Sequence, residues 1–287
     1  MAIHPTAVVD KKARIDPDAE IGPYVVIEGE VTIGAGTRVY PNAYITGWTE
    51  IGRNCEIHPN AVVGHLPQDF HYEPCRSYCR IGDGTIIREG ASIHRGTQPE
   101  SATIVGKGCF LLANSHIGHN CVFGDGVTLL NMTACAGHVD VADNATISAY
   151  CVVHQFVRIG SYVMVGGLSR VLTDVPPFFT CVHDTECVGV NLVGMRRAGF
   201  SPEQIADAKR AYRILYGSGT TFQKAVAKLA DAVTTDVGRR ILQFVQSESR
   251  RGFAAPPTHR RRRRADPRGR HADEESCATE ATNDPEN

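Results

Sequence analysis

From Ile3 onward a large aliphatic residue recurs every sixth position, and a small residue follows it four places later. The runs IGPYVV, IEGEVT and IGAGTR from Ile21, IHPNAV from Ile57, and IGHNCV and FGDGVT from Ile117 show the unit. Twenty-six such hexads account for 156 of the 287 residues. The first position is Ile, Val or Leu except at Phe123 and Cys135, and the fifth is Ala, Val, Thr, Ser or Cys except at Pro67. A period of six matches neither the 3.6 of a helix nor the 2 of a lone strand. It fits a short strand plus a corner, repeated three times per turn of a triangular prism. The pattern therefore predicts a parallel β-helix whose narrow interior takes one large and one small side chain per face. Gly occupies the second position in ten hexads, Gly22, Gly34, Gly118 and Gly160 among them, marking a corner that needs unusual backbone angles or close approach.

Two breaks interrupt the repeat, at residues 64–80 and 99–104, and excursions from a solenoid commonly form loops on its binding face. The Pro176-Pro177 step ends the regular hexads. Ser201-Pro202-Glu203 then reads as a helix start, and the segments to Tyr216 and from Thr221 to Phe244 carry helical apolar spacing, separated by Gly217-Ser218-Gly219. The expected organisation is a β-helix over 1–190, a helical region over 191–250, and a solvated tail over 251–287. From Arg250 to Arg270 there are nine Arg and one acid, followed by six acids from Asp273 to Glu286.

Composition narrows the function classes. The 30 Lys and Arg balance 31 Asp and Glu, for a net charge of -1, so a nucleic-acid partner is not expected of the chain as a whole. With 42% hydrophobic and 21% charged residues and no run of eighteen apolar residues, no membrane insertion is expected. The first sixteen residues, MAIHPTAVVDKKARID, lack an apolar export core, which points to the cytoplasm. Of the ten cysteines, Cys55, Cys109, Cys121 and Cys151 occupy the small fifth position and Cys135 the first, so they read as reduced core packing.

Three hexads make one coil, so residues eighteen apart stack at about 4.8 Å. The hexads from 117, 135 and 153 then share one face, joined by that from 93 if residues 99–104 are a pure loop. They carry His119, His138, His154 and His94, with His116 at the preceding corner and the loop bearing Gln68, Asp69 and His71 leaving the same face. None of these histidines holds a first or fifth position, so none belongs to the interior. His4 and His58 share the second-position corner of His94 and His154, so spacing alone does not separate those two from structural residues. His119 and His138 lie on adjacent coils, offset by one residue, within about 5 to 8 Å. Imidazole titrates near neutrality and suits a base that draws a proton from an alcohol. Two chemistries use such a column. Zinc would need three converging ligands, and His116, His119 and His138 could be proposed, although hexapeptide-repeat carbonic anhydrases use a different spacing. Acyl transfer from a thioester needs only a base and a backbone donor for the oxyanion, and Gly137 could present an unhindered N–H.

The segments IHRGT at 93–97, NSHIGHNC at 114–121, AGHVDV at 136–141, VHQFVRIG at 153–160, DVPPF at 174–178 and GVNLVGMRRAGFS at 189–201 are more specific than hexads. With them the chain resembles the UDP-N-acetylglucosamine 3-O-acyltransferases of lipid A synthesis over about residues 1–250. The resemblance implies an all-β left-handed β-helix followed by a small α-helical region. That handedness comes from the resemblance, since the crossover rule alone points to the right hand. It further implies a homotrimer with sites between subunits, no metal, and no cofactor beyond the acyl carrier protein thioester. By position, His119 is the implied base for the sugar 3-hydroxyl and Gly137 the implied oxyanion donor. Asp69, His94, His116, His138, His154, Gln155 and Asn191 are implied to line the sugar-nucleotide groove. Gly167 is implied to limit acyl depth, and Arg196 and Arg197 to meet phosphate or the carrier protein. His71, Asn120, Asp184, Val193 and Ala198 depart from residues common at those positions. Two alternatives stay open, N-acylation of a 3-amino sugar nucleotide and a β-helix scaffold without chemistry.

Overall fold

The protein is described by a computed structural model covering residues 2–217 and 219–257. The arginine-rich and acidic stretches beyond 257 lie outside the described residues. Among the described residues, twenty-eight short strands fall into three sheets of eleven, nine and eight strands. We call them A, B and C. Successive strands rotate A, B, C, A along the chain, and all neighbours are parallel until the last hairpin. The result is a left-handed parallel β-helix of triangular section.

The hexad has a physical reading at every position. First-position side chains from Ile21 to Val171 point inward and are buried, among them Phe123 in sheet C and Cys135 in sheet B. Beyond the first coil fifth-position residues are also buried, and several polar ones bond the corner backbone. Thr37 Oγ1 donates to the Gly52 carbonyl at 2.8 Å and accepts from the Cys55 amide at 3.0 Å, and Thr85 and Thr133 repeat the pattern. A buried hydroxyl without such a partner would be destabilising. All nine described cysteines are free thiols, eight of them buried.

The corners revise one expectation. The left-handed backbone sits mainly at the fourth position, where residues include Asn54 (φ 52), Asn120 (φ 58), His138 (φ 58), Tyr150 (φ 58) and Leu168 (φ 59), and among the second-position glycines only Gly64 (φ 79) adopts it. Second-position glycine answers to close approach instead. A Cβ on Gly34 would lie 2.6 Å from the Gly52 carbonyl oxygen of the next coil.

The end of the prism is closed by an antiparallel hairpin, Phe179–Val182 with Glu186–Val190. Four helices follow: α1 Leu192–Arg197, α2 Pro202–Gly217, α3 Phe222–Ala230 and α4 Asp236–Gln246. Ser201 and Gln204 form a reciprocal cap at the start of α2, as the sequence suggests. The expected single helical run over 221–244 is two helices. The buried Asp207 carboxylate of α2 accepts from the Thr234 and Thr235 amides and the Thr235 hydroxyl, fixing a turn that apolar spacing does not announce. Residues 252–255 return to the prism: Asp174 N–H donates to the Gly252 carbonyl, Ala254 N–H to Asp174, and Cys187 N–H to Ala255. The described residues up to 256 form one compact unit, so contacts continue past the expected boundaries at 190 and 250.

Candidate active site

The edge between sheets B and C gathers the histidines because each belongs to a stacked B strand or the corner after it. Ser92–His94 pairs with His116–Ile117, which pairs with Ala134–Cys135, which pairs with Val152–Val153. The second break leaves the repeat only over 99–101, because residues 102–104 already belong to a sheet C strand that pairs with 78–80. The His94 and His116 rings meet edge-on with centroids 4.8 Å apart, the His119 and His138 rings at 5.2 Å, and His138 stacks on Phe156 at 4.9 Å. His154 and Gln155 occupy the same edge one coil further on, with His154 exposed and its Nδ1 beside the Gln155 carbonyl at 3.1 Å.

His119 is the most constrained of the set. It is buried, with Nδ1 3.0 Å from Asn120 Oδ1. That oxygen also accepts from the Thr97 amide at 3.1 Å and the Thr97 hydroxyl at 2.8 Å, which identifies it as the amide oxygen. An acceptor there requires a proton on Nδ1 and leaves the Nε2 lone pair free. Nε2 faces Asp69 Oδ2 across 3.8 Å, beyond direct hydrogen-bond reach. Gly137 lies against the same ring edge, and a Cβ on it would stand 2.5 Å from His119 Nε2. Among the described residues, the Gly137 N–H has no hydrogen-bond acceptor.

The neighbouring imidazoles are held neutral. Burial, with the facing rings of His116, His65 and His119, lowers the His94 pKa to about 4. Burial and then His119 lower that of His116, whose Nδ1 is 2.8 Å from Ser92 Oγ. His138 is lowered by burial, then by His119 and Arg250. No three His, Cys, Asp or Glu side chains converge as metal ligands among the described residues. What the edge offers is an oriented base, an open backbone donor and a lining of uncharged rings.

Residues 174–254 match the protein family described as Udp N-acetylglucosamine O-acyltransferase, Domain 2, and residues 30–65 match the bacterial transferase hexapeptide family. A protein of Anaeromyxobacter dehalogenans named acyl-[acyl-carrier-protein]--UDP-N-acetylglucosamine O-acyltransferase is 48% identical over 231 residues, 80% of this chain and 90% of its own length. The chain belongs to the UDP-N-acetylglucosamine O-acyltransferase family. A family protein of the same name from Pseudomonas paraeruginosa is 47% identical over 232 residues, again 80% of this chain and 90% of its own. The solved UDP-N-acetylglucosamine acyltransferase of Francisella novicida superposes with a TM-score of 0.86 at 34% identity, covering 90% of this chain and 96% of that one.

Other residues that the resemblance to UDP-N-acetylglucosamine O-acyltransferases singles out are not brought to this edge. Gly167 lies on the edge between sheets A and B, where an added Cβ would find only ordinary contact with the Ala149 carbonyl at 3.5 Å. Asn191 caps α1 by accepting from the Gly194 amide at 2.9 Å, and its Nδ2 donates to the Tyr162 carbonyl near the edge between C and A. Arg196 and Arg197 are exposed in the last turn of α1. Three different edges of one prism thus carry the expected residues. Sequence reasoning missed His65, which pairs with His94 and stands 6.4 Å from it ring to ring, because the excursion between them replaces the eighteen-residue spacing. Phe156 and Arg250, whose guanidinium lies over the Phe156 ring at 5.0 Å, were missed as well. The sequence places Arg250 at the end of the helical region, and only the return of the chain to the prism brings it to the edge.

Proposed function

We propose that the chain transfers a 3-hydroxyacyl group from the acyl carrier protein thioester to the 3-hydroxyl of UDP-N-acetylglucosamine, the first step of lipid A biosynthesis, as a cytoplasmic homotrimer. His119 Nε2 takes the proton as the sugar oxygen attacks the thioester carbonyl. The carbonyl becomes a tetrahedral oxyanion, which the Gly137 N–H receives. Collapse expels the carrier thiolate, which recovers the proton from the His119 imidazolium. Proton and charge are then accounted for without a metal or redox group. Asp69, His94, His116, His138, His154 and Gln155 line the acceptor groove, and neutral imidazoles there offer both donors and acceptors to sugar hydroxyls.

The observation that carries this reading is the fixed tautomer of His119 beside Gly137, which sets one free ring lone pair next to one open backbone N–H. Assembly is supported by the distribution over three edges. One prism cannot bring Gly167, the histidine edge and the Asn191, Arg196 and Arg197 end of α1 into one groove, whereas neighbouring prisms can. Met132, Tyr150 and Leu168, exposed at the left-handed fourth position of successive coils on the A–B edge, form an apolar ridge that a second copy would cover. The free thiols of the nine described cysteines suit a reducing compartment.

Purified protein, a set of 3-hydroxyacyl carrier thioesters of graded length, and UDP-N-acetylglucosamine in competition with its 3-amino counterpart test the proposal. Mass spectrometry should find the O-acylated sugar nucleotide. An amide product would transfer the assignment to the amino sugar, and no product with any donor would favour a scaffold.

A further inference from the structure

The excursion over 66–77 leaves sheet B after Val62–His65 and rejoins sheet C at Tyr78–Ile81. It carries Asp69 to the open side of His119, yet it has little to bury, and Phe70 is fully exposed. An apolar core does not hold this loop in place. Its internal turn is set by Asp69, whose Oδ1 accepts from the His71 amide at 2.9 Å and whose carbonyl accepts from the Tyr72 amide at 3.1 Å. Tyr72 therefore moves with Asp69. The Tyr72 hydroxyl in turn accepts from an Arg95 terminal nitrogen at 3.3 Å.

Arg95 is the unusual member. It is 8% exposed, its Nε has no partner, and no described carboxylate lies within 4.0 Å of it. Its other terminal nitrogen reaches the Gly64 carbonyl at 3.5 Å, and the guanidinium lies over Trp48 at 5.4 Å. Gly47, at φ +78, makes the space, since a Cβ there would overlap the guanidinium. A buried cation without a counter-ion is costly, and an apolar side chain of similar length would fill the site without that cost. The charge is thus not explained by packing. What it reaches is the loop that holds Asp69.

We propose that Arg95 is a positioning residue, whose buried guanidinium clamps the 66–77 loop through Tyr72 and so sets where Asp69 stands opposite His119. The proposal rests on the reading of His119 as the base for the sugar hydroxyl.

Removing Arg95 outright would leave a cavity, so the test uses Tyr72→Phe, which deletes one hydroxyl and keeps the ring. It is compared in the full chain with Asp69→Asn, the double variant, and Arg95→Lys. Tyr72→Phe should melt like the unaltered protein while hydrogen exchange over 66–77 quickens about tenfold, with the flanking strands unchanged. Its kcat/KM for UDP-N-acetylglucosamine should fall about tenfold with the KM for the acyl carrier protein steady, and Arg95→Lys should follow it. In the Asp69→Asn background, Tyr72→Phe should add less than about twofold, because both act through one carboxylate. Unchanged exchange over 66–77, unaltered kcat/KM, or effects that multiply would each overturn the clamp. The exchange arm needs no substrate, so inactivity of the unaltered chain counts against the functional reading alone.

Discussion

A side-chain carbon on residue 137 would stand 2.5 Å from Nε2 of His119, so the ring occupies its place only because residue 137 is glycine. Gly137→Ala should therefore displace the imidazole and crowd the adjacent N–H. Its expected effect is a fall in kcat of about 100-fold, the order found for losing an oxyanion donor, with the circular dichroism of the β-helix retained. Activity near that of the unaltered protein would separate Gly137 from the chemistry.

Asn120 Oδ1 gathers three donors, Thr97 N–H, Thr97 Oγ1 and His119 Nδ1. Asn120→Gly removes that acceptor without straining the left-handed backbone at φ 58. The tautomer is then free, and kcat should drop at least about tenfold while KM changes little. Asn120→Asp keeps the acceptor and adds a charge that favours the imidazolium of the reaction, so its kcat should match or exceed that of the unaltered protein. Steady-state kinetics on the pair checks both.

Burial, with His116, His65 and His119 facing it, depresses the His94 pKa to about 4, against about 6.5 for free imidazole. Between those values the unfolded chain binds the proton and the folded chain does not, so stability rises with pH and is lost on acidification from about pH 6.5 to 4. The contribution is about 3 kcal/mol. Denaturant unfolding at pH 7 and at pH 4.5 should show the loss, and His94→Gln should flatten it. His116 and His138 shift in the same direction and will leave a residual slope.

Asp207 carries the opposite sign. Burial alone would raise its pKa, but the Thr235 amide, Arg210, the Thr235 hydroxyl and the Thr234 amide bring it down to about 2. The carboxylate contributes about 2 to 3 kcal/mol that is present above about pH 4 and lost as pH falls towards 2. Asp207→Asn should lower the melting temperature at pH 7, with faster hydrogen exchange at Thr234 and Thr235. An unchanged melting temperature would show that the turn between α3 and α4 is held otherwise.

The β-helix and its histidine edge were legible because both follow from counting. A six-residue period specifies which side chains point inward, and eighteen residues specify which ones stack. Legibility fails where the determinant is remote in the chain. The break between α3 and α4 depends on Asp207, some 27 residues before Thr234. His65 belongs to the same edge, but the excursion over 66–77 hides its spacing from His94. Tyr150 and Leu168 adopt left-handed backbone with no turn-like composition to announce it, because the neighbouring coils impose the corner. Counting also stacks residues within one prism only, and there Gly167, Asn191 and Arg196 fall on edges other than that of the histidines.

The most direct test is the turnover of His119→Ala at saturating UDP-N-acetylglucosamine and acyl carrier thioester, with its sedimentation matched to that of the unaltered protein. The account predicts a kcat lower by at least about 100-fold in an assembly of unchanged size. A kcat within a few-fold of the unaltered protein would contradict it and place the base elsewhere.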